Sequence, residues 1–108
     1  MAEIIWTEPA LSDLDAIADY IVLDNPEAAA RLVKNVFAHV EHLARHPRLG
    51  SRIPELRYNP RYRQIVESPC RVFYRWDKKT KVIYILGVMR GERLFRKSWL
   101  KTRDHGIK

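Results

Sequence analysis

The chain has 108 residues, 20 Lys and Arg against 13 Asp and Glu, a formal charge of +7 and 46% hydrophobic residues, which sets one compact globular domain, residues 1 to 108, as the ceiling. Its single cysteine, Cys70, excludes an intramolecular disulfide, a CxxC redox pair and a cysteine-rich zinc site, and suits a reducing compartment. No apolar run reaches the roughly 18 residues of a spanning helix, and Met1 to Trp6 lacks the basic region and long apolar stretch of an export signal, so the expected location is the cytoplasm with no membrane partner.

The charge is unevenly placed. Residues 1 to 44 carry −6 and residues 45 to 108 carry +13. Such a split predicts an electrostatic dipole whose basic half suits phosphates or an acidic protein, with nonspecific nucleic-acid binding as one expression of it. A solvated sheet face accounts for the same charges.

In chain order, Ile4, Ile5 and Trp6 form a short β-type run. Thr7 can cap a first helix with Pro9 in its first turn, and Leu11, Leu14, Ile17, Ala18 and Ile21 keep helical spacing. Asp13, Asp15 and Asp19 lie off that stripe and read as a solvated face. Asp24-Asn25-Pro26 stops this helix and starts a second, which carries Ala29, Leu32, Val33, Val36, Val40 and Leu43 on one arc until Pro47 forbids continuation. So short a turn predicts a helical hairpin. Pro47 to Ser51 reads as a turn and Arg52 to Pro60 as an irregular connection.

From Arg61 the period becomes that of strands. Arg61–Glu67, Arg71–Trp76 and Lys81–Met89, separated by hairpin-length turns, predict a β-meander. In the last run Val82, Tyr84, Leu86 and Val88 alternate with Ile83, Ile85 and Met89, the pattern of a central strand covered on both faces. The tail from Glu92 to Lys101 supplies Leu94, Phe95 and Trp99, either as an amphipathic helix closing the core or as a segment that orders on a partner.

Ala10-Leu11-x-Asp13-Leu14-x-x-Ile17-x-x-Tyr20-Ile21 and Asn25-Pro26-x-Ala28-Ala29 stand in this order ahead of Pro47-x-x-Gly50, Pro54-Glu55-Leu56-Arg57, Arg63-x-Ile65-Val66 and Arg71-Val72-Phe73-Tyr74-Arg75. This ordered set, over residues 4 to about 93, resembles the RelE/ParE superfamily of type II toxin–antitoxin modules, the ParE branch more than the RelE branch. The resemblance implies an α+β fold: an N-terminal strand, a helical hairpin, then a three-stranded antiparallel meander, in one mostly antiparallel sheet. It also implies a cognate antitoxin, ParD-like or related, bound in a hetero-oligomer. Contacts to it are expected at Leu14, Ile21, Arg57, Arg71, Phe73 and Arg75.

The two branches imply different activities. RelE-like members cleave mRNA at the ribosome, a reaction that needs a general base, a general acid and cations around the developing phosphorane. Here Arg63, Arg71 and Arg90 would be the cations, but no Tyr follows Tyr84 and Met89-Arg90-Gly91 carries no His. Arginine, with a pKa above about 12, cannot shuttle protons at neutral pH. Glu67 is the remaining candidate base and equally a salt-bridged strand-end residue. ParE-like members instead poison DNA gyrase and need no such groups. That reading makes Arg90, Arg93, Arg96, Lys97 and Trp99 the expected target contacts and leaves enzyme activity unsupported. Arg57 beside Glu55 equally reads as an ordinary salt bridge.

Other chemistries lack their residues. The four glycines form neither a dinucleotide fingerprint nor a P-loop, and no serine stands in a nucleophile elbow. His39, His42 and His46 share one side of the second helix, a spacing compatible with metal ligation that reads better as a boundary face. No metal or cofactor is expected.

Overall fold

The computed structural model describes residues 1–91 and 93–107. Strand β1 (Glu3–Trp6) leads into α1 (Glu8–Val22), where the Thr7 hydroxyl oxygen accepts from the Ala10 N–H. The same hydroxyl donates to the Ile85 carbonyl at 2.7 Å, so the cap also fastens the helix start to the sheet. Asn25 caps α2 (Pro26–Glu41) by accepting from the Ala28 N–H, and a 3-10 turn at His42–Ala44 ends the hairpin.

The remaining strands are β2 (Ser51–Arg52), β3 (Tyr62–Glu67), β4 (Cys70–Asp77) and β5 (Val82–Arg90). They form one sheet in the order β1-β5-β4-β3-β2, antiparallel except where β1 runs parallel to β5. This is the expected α+β fold. The two-residue β2 lies in the stretch expected to be turn and irregular connection, too short for a periodic signal.

Two apolar layers enclose the sheet. Leu14, Ile17, Leu32, Val36 and Val40 of the hairpin pack on Val72, Tyr74, Ile83, Ile85 and Val88. On the opposite face Phe73, Leu86 and Met89 meet Phe95, Trp99 and Leu100 of the tail, whose helix α3 spans Lys97–His105. The tail therefore closes the core over β5. Its helix begins later than the sequence suggests, Leu94 is 77% exposed instead of buried, and Glu92, the first residue of the expected segment, lies outside the described residues.

A bulge in β5 overturns the simple alternation expected there. Tyr74 faces Ile85 and Phe73 faces Gly87, so Leu86 is the additional residue. Beyond it the parity reverses: Val88 joins Ile83 and Ile85 beneath the helices, while Met89 joins Leu86 beneath the tail. Arg90 consequently lies over the Tyr20 ring of α1, 5.1 Å from its centroid. At Gly87 a Cβ would come within 2.5 Å of the Trp99 ring, so glycine lets that ring approach the strand this closely.

Tyr74 pins the loop before β2. Its buried hydroxyl donates to the Pro47 carbonyl at 2.7 Å and accepts from the Gly50 N–H at 3.0 Å, and burial raises its pKa. Tyr74→Phe keeps the packing but leaves both backbone groups unpaired. The expected loss is about 1–2 kcal/mol, read as a lower urea midpoint at unchanged m-value.

Candidate functional site: an arginine cleft beside α1

β1 pairs with β5 only as far as Ile85, so among the described residues no strand flanks the second half of β5 on that side. Two charged side chains cover the open edge instead. Asp13 of α1 accepts from the Val88 N–H at 3.0 Å, and Arg103 of α3 donates to the Leu86 carbonyl at 3.1 Å. Both Arg103 Nη groups meet the Asp13 carboxylate, Nη2 at 2.9 Å, closing a clamp between the first and last helices. Asp13 is thus not the solvated residue its place off the stripe suggested.

Above this clamp a cleft of about 580 Å³ opens between α1, the end of β5 and the tail. Arg90, Arg93, Arg96 and Arg103 line it together with Tyr20 and Trp99. Tyr20 lies under Arg90, and Trp99 lies under Arg103 at 4.4 Å, so ring faces orient two of the four guanidinium groups. Among the described lining residues the carboxylate is Asp13, and it is paired with Arg103. The cleft therefore presents concentrated, permanently charged donors beside two aromatic surfaces, suited to phosphate or carboxylate groups. Of the expected target contacts, Arg90, Arg93, Arg96 and Trp99 meet here, whereas Lys97, exposed at the start of α3, is not among the lining residues.

The cations of the alternative nuclease reading do not converge. Arg63 stands opposite Tyr74, on the helical face, and donates to the Gly50 carbonyl at 2.7 Å. Arg71 stands opposite Val66, on the tail face, where it pairs with Glu55 at 2.9 Å and lies over the Phe73 and Phe95 rings. Glu55 thus pairs with Arg71 instead of Arg57, which ends the Pro54–Leu56 turn in the left-handed region at φ 54°. Glu67 lies 3.1 Å from His39 Nδ1, tying β3 to α2. Among the described residues no group of three or more His, Cys, Asp or Glu could hold a metal.

Asp104 fastens α3 to the sheet. It is 5% exposed and accepts from Arg61 Nε at 2.9 Å, the Tyr62 hydroxyl at 2.8 Å and Arg75 Nε at 2.7 Å. Burial works to raise its pKa, but the hydrogen bonds from Tyr62, Arg61 and Arg75 prevail and hold it below the ordinary carboxylate value.

Of the expected antitoxin contacts, Leu14 and Phe73 are 3% and 0% exposed, and Arg71 and Arg75 are engaged within the chain. The two apolar residues serve the core and offer little to a partner. Ile21 is half-buried and Arg57 exposed. The apolar surface the hairpin does present is a groove where Leu11 and Phe37, 41% and 37% exposed, flank Val33. Phe37 was missed, although it follows Val33 at i+4 and extends the apolar arc by one side chain.

The family model described as ParE toxin of type II toxin-antitoxin system, parDE, matches residues 4–95. The chain belongs to this family of toxins. The match stops short of α3, so one arm of the cleft lies beyond it. Among relatives, a putative toxin Y4kP of Sinorhizobium fredii is 32% identical over 81 residues, covering 75% of this chain and 82% of that one. Toxin RelE2 of Caulobacter vibrioides is 42% identical over 50 residues, 46% of this chain and 57% of its own length. The solved chromosomal ParDE system from P. aeruginosa superposes with a TM-score of 0.70 at 30% identity, over 85% of this chain and 98% of that one. The isolated E. coli RelE toxin shares the fold, with a TM-score of 0.57 at 15% identity over 99% and 100% of the two chains. Within the described residues no helix is long and apolar enough to cross a membrane.

Proposed function

We propose that this ParE-family toxin arrests growth by binding DNA gyrase through the arginine cleft, without chemistry of its own, and that a cognate antitoxin neutralises it. The observation that carries the reading is the makeup of the cleft among the described residues: Arg90, Arg93 and Arg96 beside two aromatic rings, with Asp13 and Arg103 locked in an ion pair. These groups bind anions well and exchange protons poorly. Separation of Arg63, Arg71 and Arg90 between the two faces and the α1 edge weighs against a RelE-like nuclease centre. A toxin–antitoxin family match supports the antitoxin partner, with the Leu11–Phe37 groove, Ile21 and the basic half as its contacts.

The test uses one antitoxin-free preparation in two assays. Gyrase supercoiling should stop at stoichiometric toxin, and Arg90→Ala with Arg93→Ala should relieve the block at least tenfold while mRNA on ribosomes stays intact. Cut mRNA with unaffected supercoiling would replace this reading with the nuclease one.

A further inference from the structure

A second cation-rich surface lies on the β2–β3–β4 side of the sheet, away from the cleft beside β5. Trp76, half-buried near the end of β4, belongs to two adjoining cavities there. One, of about 220 Å³, is walled by Arg48, Arg52, Arg61, Arg63 and Lys78, with no carboxylate among its described lining residues. The other is a shallow apolar slot formed with His46, Pro47 and Leu49. Arg48 and Lys78 border both.

Two of the guanidinium groups are held in place before any ligand arrives. Arg61 is fixed through Nε by Asp104 while its side chain stays 55% exposed, and Arg63 is fixed by the Gly50 carbonyl. Preset donors lose little freedom on binding. Leu49, 51% exposed, extends the wall beside the indole. A charged basin abutting an aromatic slot matches the repeat of an unpaired strand, in which each base sits between two phosphates. Duplexes hide their base faces in the stack, and acidic peptides offer carboxylates without a π surface for the indole.

We propose that Trp76 and the arginine basin bind single-stranded nucleic acid, one unstacked base lying in the slot and its flanking phosphates on Arg48, Arg52, Arg61, Arg63 and Lys78. This site is separate from the gyrase reading and stands or falls independently of it. Fluorescence anisotropy of the 108-residue chain with labelled oligothymidine, oligouridine and a duplex of equal length tests it. The single strands should bind more tightly than the duplex, and their relative affinities identify DNA or RNA as the natural source. Trp76→Leu, which keeps an apolar side chain against the core, should weaken single strands roughly 5- to 100-fold and leave duplex binding unchanged. Arg48→Ala with Arg52→Ala, both exposed and remote from the core, should lower the salt slope for single strands by about 1.4. Equal binding of duplex, an ineffective Trp76→Leu, an unchanged salt slope, or equally strong competition by oligoglutamate would each overturn the proposal.

Discussion

Asp104→Asn should release the tail. The substitution leaves Arg75 and Tyr62 facing a neutral amide in a site whose carboxylate side chain is only 2% exposed. Losing one partner of a buried ion pair costs about 3–5 kcal/mol. The lower end is expected here because Arg61 lies mostly in water. Limited proteolysis should then cut the segment before α3 at a rate the wild-type chain resists. Acid should reproduce the effect without mutation. The folded pKa of Asp104 lies below the ordinary 3.8, so its contribution is complete above that value and disappears as pH falls through the folded pKa. As pH falls below about 4 the wild-type unfolding midpoint should fall more steeply than that of Asp104→Asn. Parallel midpoints would mean that Leu100 and Trp99 hold α3 without the carboxylate.

Asp13→Ala should be nearly as damaging, although the residue sits on a helix that otherwise faces its acids to water. It removes the acceptor for the Val88 N–H and both partners of the Arg103 fork. Charged hydrogen bonds contribute about 1.5–3 kcal/mol each when buried. The side chains here are 20% and 19% exposed, and a total loss of about 2–3 kcal/mol is expected after that discount. Guanidinium denaturation of Asp13→Ala, Arg103→Leu and the double variant measures the pair, and a coupling of about 1–2 kcal/mol should separate the double from the sum of the singles. Additive losses would show that the two ends of the chain are not joined through this contact.

The helical hairpin and the strands were legible because their signals are local. Thr7 and Asn25 cap where their side chains suggest, and the shift from helical to alternating spacing falls at β3. Burial on both faces of β5 was legible from its unbroken apolar run, and so was the need for a cover. The bulge at Leu86 was not, since one added residue leaves composition unchanged while exchanging the faces of Val88 and Met89. Most of the cleft was readable as a cluster of late arginines. Asp13 and Tyr20 were invisible as its other wall because their partners lie far along the chain. Leu14 and Phe73, expected from the resemblance as antitoxin contacts, instead fill the two cores, as the place of Leu14 on the apolar stripe of α1 already suggests.

The parallel pairing of β1 with β5 also governs the order in which this molecule can assemble. Glu3 waits for Val82, and Asp13 for Arg103. The α1–α2 hairpin and the β3–β4–β5 meander close over short stretches, whereas sheet completion and the helix clamp each require a loop spanning most of the chain, the slow kind of contact. During synthesis the meander precedes the tail, so Phe73, Leu86 and Met89 are exposed until α3 arrives. The cleft likewise gains its Trp99 and Arg103 wall only once α3 has been made and has docked on the sheet.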